Sequence, residues 1–215
     1  MFKSPFPKGV AFEIVTKDSP FELSLHPEEE KLLSDQALPR RKEQLVLGRT
    51  AARRALQQLG VKHPPAILRG AGRNPLFPEG YLGSISHSAG IGIAAVAPTK
   101  TTIAIGIDLE NFIEQRPERV AQKICTASEL DWVCKRDTPM RTAMIFSAKE
   151  CIYKCFYPCY QKYFGFEAVT LTWTEDHFNA SLEIDISADF PKGYKFQVAA
   201  QVKDDFVLTS CIVFR

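Results

Sequence analysis

The chain has no apolar run long enough to cross a bilayer, and its N-terminus shows no charged segment leading into an apolar stretch. A membrane partner is therefore not expected, and the expected home is the cytoplasm. Excess charge is also scarce: 27 Lys and Arg stand against 25 Asp and Glu, a formal net charge of +2. Composition gives no bulk attraction to nucleic acid, and none is expected as a partner, although local basic patches remain open. Cys-x-x-Cys pairs are missing, so zinc and dithiol motifs are unsupported. Among the six cysteines, Cys151, Cys155 and Cys159 recur every fourth residue, one helix stripe if the helix continues through Pro158. Packing is their expected role, with no disulfides in a reducing compartment. The Gly-rich phosphate loop of nucleotide hydrolases is absent, as are clear repeats and flexible linkers. The 215 residues, 45% hydrophobic, still suffice for a substantial core in one large domain or two small ones.

What is present is a set of charges in apolar surroundings. Thr102-Ile-Ala-Ile-Gly-Ile-Asp-Leu-Glu110 reads as a buried strand. Side chains alternate along a strand, so Asp108 and Glu110 share a face. Two neighbouring carboxylates repel unless one is protonated or a cation lies between them, and Mg²⁺ suits hard oxygen ligands. The alternative is a strand that simply ends in a polar loop. Farther on, a helix predicted from about Met140 to Tyr157 carries Lys149, Glu150 and Lys154 among Ile145, Phe146, Ile152, Tyr153 and Phe156. Glu150 and Lys154 stand at i, i+4 on one face, either as a solvated ion pair or as groups held in a cleft.

In chain order, a strand is predicted at Val10–Val15 and a helix start at Pro27, with acids in its first turn. A long helix follows from Arg40 to near Gly60, with Leu45, Ala52, Leu56 and Leu59 as its buried face. On it, Arg49 and Arg53 lie one turn apart, able to grip a phosphate together or to form a solvated basic face. Gly70–Pro78, with Arg73, is turn-rich. Leu82 to Ile85 reads as a short strand, with Ser86-His87-Ser88 in the polar turn after it, offering hydroxyls and an imidazole to an anion. Ile91–Ala97 is the return strand. Beyond the carboxylates, Pro117–Cys125 reads as a helix and Thr126–Glu129 as a capping box. Four strands are predicted at 168–173, 180–186, 194–202 and 206–214. Helical material followed by paired strands in both halves hints faintly at duplication.

Together these groups are an inventory for phosphoryl-type transfer: carboxylates for a metal and a proton, and cations for a phosphate donor. The chain resembles the phosphopantetheinyl transferases of the surfactin and enterobactin type. The resemblance rests on Gly106-Ile-Asp-Leu-Glu110, Phe146-Ser-Ala-Lys-Glu150 with Lys154, Ser84-Ile-Ser-His-Ser88 and Gly72-Arg-Asn-Pro75, in matching order from about Arg40 to Lys154. The family usually has Trp where Phe146 stands. It implies an α+β fold, a pseudo-twofold arrangement of two similar α/β halves. Residues 1–102 would form an N-terminal half binding coenzyme A phosphates, and 103–215 a C-terminal half with the metal and catalytic residues, coenzyme A and Mg²⁺ lying at their junction.

The implied reaction moves the 4′-phosphopantetheine arm of coenzyme A to a serine of an apo acyl or peptidyl carrier protein, releasing adenosine 3′,5′-bisphosphate. By resemblance, Asp108, Glu110 and Glu150 ligate Mg²⁺, Glu150 is the base and Lys154 neutralises the departing phosphate. Arg49, Arg53, Arg73, Ser86 and His87 hold coenzyme A phosphates, with Lys149 and Asp108 also near the cofactor. Glu129 matches an acidic position of the family as well as the capping box. Lys123, Lys135 and Arg136 are candidates for meeting an acidic carrier, of fatty-acid, polyketide or nonribosomal-peptide synthesis. A monomer is expected. The rival readings are a non-catalytic coenzyme A-binding homologue and a Mg²⁺-dependent phosphohydrolase.

Overall fold

Small apolar residues along Ile91–Pro98 allow a helix to lie close on a sheet, and the first unit of the chain is built on that contact. The computed structural model describes residues 2–215 and divides into two units, Ser4–Ile107 with Ile212–Arg215, and Asp108–Cys211 with the chain's first residues. The division falls inside one strand, between Ile107 and Asp108. Among the described residues no helix is long and apolar enough to cross a membrane.

The first unit runs β1 (Ala11–Thr16), the single-turn α1 (Pro27–Glu30), α2 (Pro39–Gln58), the short β2 (Leu68–Arg69) and β3 (Pro75–Leu76), β4 (Tyr81–Ser88), β5 (Ile91–Pro98) and the start of β6 (Thr102–Asn111). Strands β1, β5 and β4 form an antiparallel sheet in that order. Helix α2 covers it, burying Leu47, Ala51, Ala52, Ala55 and Leu56 against Ala11, Val15, Ala94 and Val96. The helix lies so close to β5 that a Cβ on Gly92 would stand 2.6 Å from the carbonyl carbon of Leu47. The β4–β5 turn is only Ala89-Gly90, both with positive φ (43° and 77°), as a two-residue hairpin with right-handed twist requires. Ser86 and His87 therefore lie in β4, paired with Ile93 and Gly92, and not in the turn expected for them.

The second unit contains α3 (Pro117–Ile124), α4 (Ala127–Cys134), α5 (Thr138–Tyr160), a 3₁₀ turn (Phe166–Ala168), β7 (Val169–Trp173), β8 (His177–Leu182), β9 (Lys195–Lys203) and β10 (Phe206–Phe214). Its antiparallel strands are ordered β10-β9-β8-β7, and β6 continues the sheet beside β10. Helix α5 is tied to β10 by a 2.8 Å hydrogen bond between Ser147 and Thr209 hydroxyls and by Cys151 against Cys211, with Sγ atoms 3.8 Å apart. It continues through Pro158 and ends at Gln161, which is left-handed (φ 50°). Cys151 and Cys155 are buried and Cys159 is exposed, so the cysteine stripe leaves the core in the last turn. Strand β8 begins three residues earlier than its apolar pattern suggested, because Asn179 pairs with Thr172 in the ladder and makes no turn. Helices with antiparallel sheets make the chain an α+β protein.

Candidate active site

The end of β6 and the middle of α5 bring the predicted acids and bases of the second unit together. Asp108 is buried at 1% exposure, and its Oδ1 accepts a 2.5 Å hydrogen bond from Lys154 Nζ. Burial alone pulls the Lys154 ammonium down, but Asp108 and more weakly Glu150 pull it up, and the net shift is upward. Burial, then Asp108 and Glu150, push the Glu110 carboxyl up to about 7 against the opposing pull of Lys154. Glu150 also rises, through burial and Asp108, again opposed by Lys154. The period of two along β6 and the i, i+4 spacing on α5 thus place four charges in one electrostatic neighbourhood.

The expected convergence of Asp108, Glu110 and Glu150 as a ready-made ligand trio is not found: among the described residues no three His, Cys, Asp or Glu side chains are grouped to enclose a metal. Asp108 turns instead to Lys154, the nearest positive charge. The donor set is nevertheless chemically suited to a hard divalent cation, since Asp108 and Glu150 raise Glu110, Asp108 raises Glu150, and all three offer only oxygen. Beside Glu150 lies a cavity of about 190 Å³ lined by Tyr153, Tyr163, Phe164, Phe166 and Val169.

Lys149 departs from expectation. It is 3% exposed, and its ammonium donates to Ile124 O (2.8 Å), Glu129 Oε2 (2.7 Å) and Phe166 O (2.9 Å). An ammonium has three N–H donors, so all of them are engaged within the protein, while the side chain also borders the cavity beside Glu150. Glu129 closes the capping box of α4 as predicted and also accepts from Leu171 N at 2.7 Å. Both of its oxygens are engaged within the fold, so the capping-box reading is borne out.

In the first unit, Arg49 and Arg73 line a cavity of about 130 Å³ together with Arg41, Arg69, Gln44 and His87. Arg49 is only 6% exposed, and its buried Nε has no hydrogen-bond partner. Burial pulls its pKa down to about 10; Glu29 opposes this, and Arg69, Arg41 and Arg53 add to it. Burial, Arg41 and Arg73 likewise lower Arg69. Arg73 sits in the left-handed region (φ 66°) in the β2–β3 turn, a strained conformation of the kind that gathers at binding sites. Four guanidiniums thus line one small cavity, and such a grouping is chemically suited to the oxygens of a polyanion. Arg53 does not join them in a shared grip: it is ion-paired to Glu29 and donates to Ser24 O. Ser86 is buried in β4. No sequence pattern marks Arg41 or Arg69, because one lies at the start of α2 and the other in β2, and only the fold brings them to one cavity.

Residues 28–97 match the 4′-phosphopantetheinyl transferase N-terminal domain, and residues 104–211 match the 4′-phosphopantetheinyl transferase superfamily. The chain belongs to that superfamily. The 4′-phosphopantetheinyl transferase Npt of Nocardia iowensis is 33% identical to it over 175 residues, covering 80% of this chain and 77% of Npt. PptT of Mycobacterium tuberculosis is 34% identical over 158 residues (70% and 66%), and enterobactin synthase component D of Escherichia coli O157:H7 is 30% identical over 176 residues (80% and 77%). The acidic strand and the Lys-Glu helix therefore belong to a transferase enzyme, and they lie within its superfamily match.

Proposed function

We propose that this transferase moves the 4′-phosphopantetheine arm of coenzyme A to a serine of an apo acyl or peptidyl carrier protein, in a Mg²⁺-dependent reaction that releases adenosine 3′,5′-bisphosphate. The observation that carries this reading is the neighbourhood of Asp108, Glu110, Glu150 and Lys154 in a chain of this superfamily. Asp108, Glu110 and Glu150 would hold the cation. When bound, Mg²⁺ supplies neutralising charge to the pyrophosphate oxygens.

Glu150 is the base in this reading. A serine hydroxyl attacks phosphorus only as its proton is accepted, and a carboxyl raised above its ordinary pKa is better matched to that task near neutrality. The serine oxygen forms the new P–O bond, the bond to the adenosine bisphosphate breaks, and the proton passes to Glu150. Lys154, held charged by Asp108, neutralises the departing phosphate. Arg41, Arg49, Arg69 and Arg73 of the first unit are the candidates for holding coenzyme A phosphates.

The test is the intact mass of apo carrier proteins incubated with this protein, coenzyme A and Mg²⁺. One added arm, lost with chelator, is the expected result. Glu150→Gln should reduce the rate by about 10²–10⁴-fold with the fold intact. No gain on any carrier, despite coenzyme A binding, would leave a non-catalytic binder. Cleavage of coenzyme A without a carrier would make the chain a hydrolase.

A further inference from the structure

One three-way junction is built twice, once in each unit. In the first, buried Glu29 accepts from His26 N (2.9 Å) to close the box of α1, accepts from Ile67 N (2.8 Å) and pairs with Arg53 of α2. In the second, buried Glu129 accepts from Thr126 N (2.7 Å) to close the box of α4, accepts from Leu171 N (2.7 Å) and pairs with Lys149 of α5 (2.7 Å). Each carboxylate thus ties a capping box, the backbone near a strand and a cation on the unit's long helix. The cation sits close to residues assigned to ligand or chemistry: Arg53 is one turn beyond Arg49, and Lys149 immediately precedes Glu150.

Net stability is a weak explanation for either pair. Removing two charges from water costs about as much as their attraction returns, and well-packed apolar residues often do as well. Direction is what apolar packing lacks. A helix turns by about 100° per residue, so a small rotation of α5 carries Glu150 and Lys154 away from Asp108. Lys149 opposes that rotation with bonds to the end of α3, the start of α4 and the 3₁₀ turn. Arg53 opposes rotation of α2, which carries Arg41 and Arg49, through Glu29 and Ser24 O.

Building on the transferase reading above, we infer that Lys149–Glu129 and Arg53–Glu29 are paired positioning devices, the first setting α5 for catalysis and the second setting α2 for coenzyme A. Lys149 borders the cavity beside Glu150, but its three N–H donors are all spent on the protein, and Arg53 is spent on Glu29 and Ser24 O. The two pairs are separable because each acts through a different kinetic constant.

The experiment uses two double variants that leave no lone buried charge, Glu29→Gln/Arg53→Met and Glu129→Gln/Lys149→Met, in the full chain. Kinetic constants for carrier modification and a calorimetric Kd for coenzyme A are measured beside the unaltered protein. The first variant should raise both KM and Kd for coenzyme A by about tenfold, the lower end of what supporting residues contribute, with kcat retained. The second should lower kcat on the order of 10²-fold, as misplacement by an ångström does, with the Kd retained. Arg53→Lys, which keeps the pair with Glu29, should restore most of the affinity. Equal losses of active fraction and thermal stability in both variants, without the split, would overturn the inference. If a double variant fails to fold, the single variants Glu29→Gln and Glu129→Gln must show the same split. Should the unaltered protein transfer nothing, the transferase reading fails by itself. The Kd then decides: a change confined to the Glu29/Arg53 variant supports the positioning role in the first unit, and an unmoved Kd overturns it.

Discussion

Glu110 shows how one side chain records what its neighbours need. Burial, Asp108 and Glu150 raise its carboxyl and Lys154 opposes them, leaving a pKa of about 7 against an ordinary 4.5. An acid whose folded pKa lies above its unfolded value adds stability below the unfolded value and loses it as pH rises to the folded one. In metal-free protein kept in chelator, this contribution is therefore complete below about pH 4.5 and lost by about pH 7. Glu110→Gln cannot titrate. Its denaturation midpoint should gain on the parent's between pH 5 and 8, and a constant difference across that range would refute the charge crowding described here.

At the scale of elements, α2 is placed by what β5 leaves out. The missing Cβ of Gly92 lets Leu47 and Gly48 approach the strand, and the same helix brings Arg41 and Arg49 to the arginine-lined cavity. Gly92→Ala puts a methyl 2.6 Å from backbone that cannot swing away. We expect a loss of about 1–3 kcal/mol by urea denaturation, typical of overpacking, together with weaker coenzyme A binding; an unchanged midpoint would contradict the contact. Elements of this kind were only partly legible in the sequence. Period two on β6 and period 3.6 on α5 identified Asp108, Glu110, Glu150 and Lys154, because local geometry alone determines which side chains share a face. The partners of Lys149 were not legible, since its acceptors are a carboxylate 20 residues away and two backbone carbonyls that no pattern marks. Ser86 and His87 resembled a turn by composition, whereas strand pairing extends to Ser88 opposite Ile91.

For the whole molecule, a net charge of +2 conceals an uneven distribution, with four guanidiniums lining one small cavity and Arg49 almost fully buried there. The fold holds that positive charge at a cost, as the lowered pKa of Arg49 records, and a polyanionic ligand removes the cost by binding the native state alone. Coenzyme A at 100 times its Kd adds about 2.7 kcal/mol. For a chain of 215 residues that corresponds to a rise in Tm of roughly 5–11 °C. Added salt should shrink the rise by screening the exposed part of the cluster. Arg49→Met makes the two effects diverge. Removing a desolvated guanidinium should raise the Tm of the unliganded protein while reducing the shift that coenzyme A produces. A variant with lower Tm and an undiminished ligand shift would mean that Arg49 serves packing and that the phosphates are held without it.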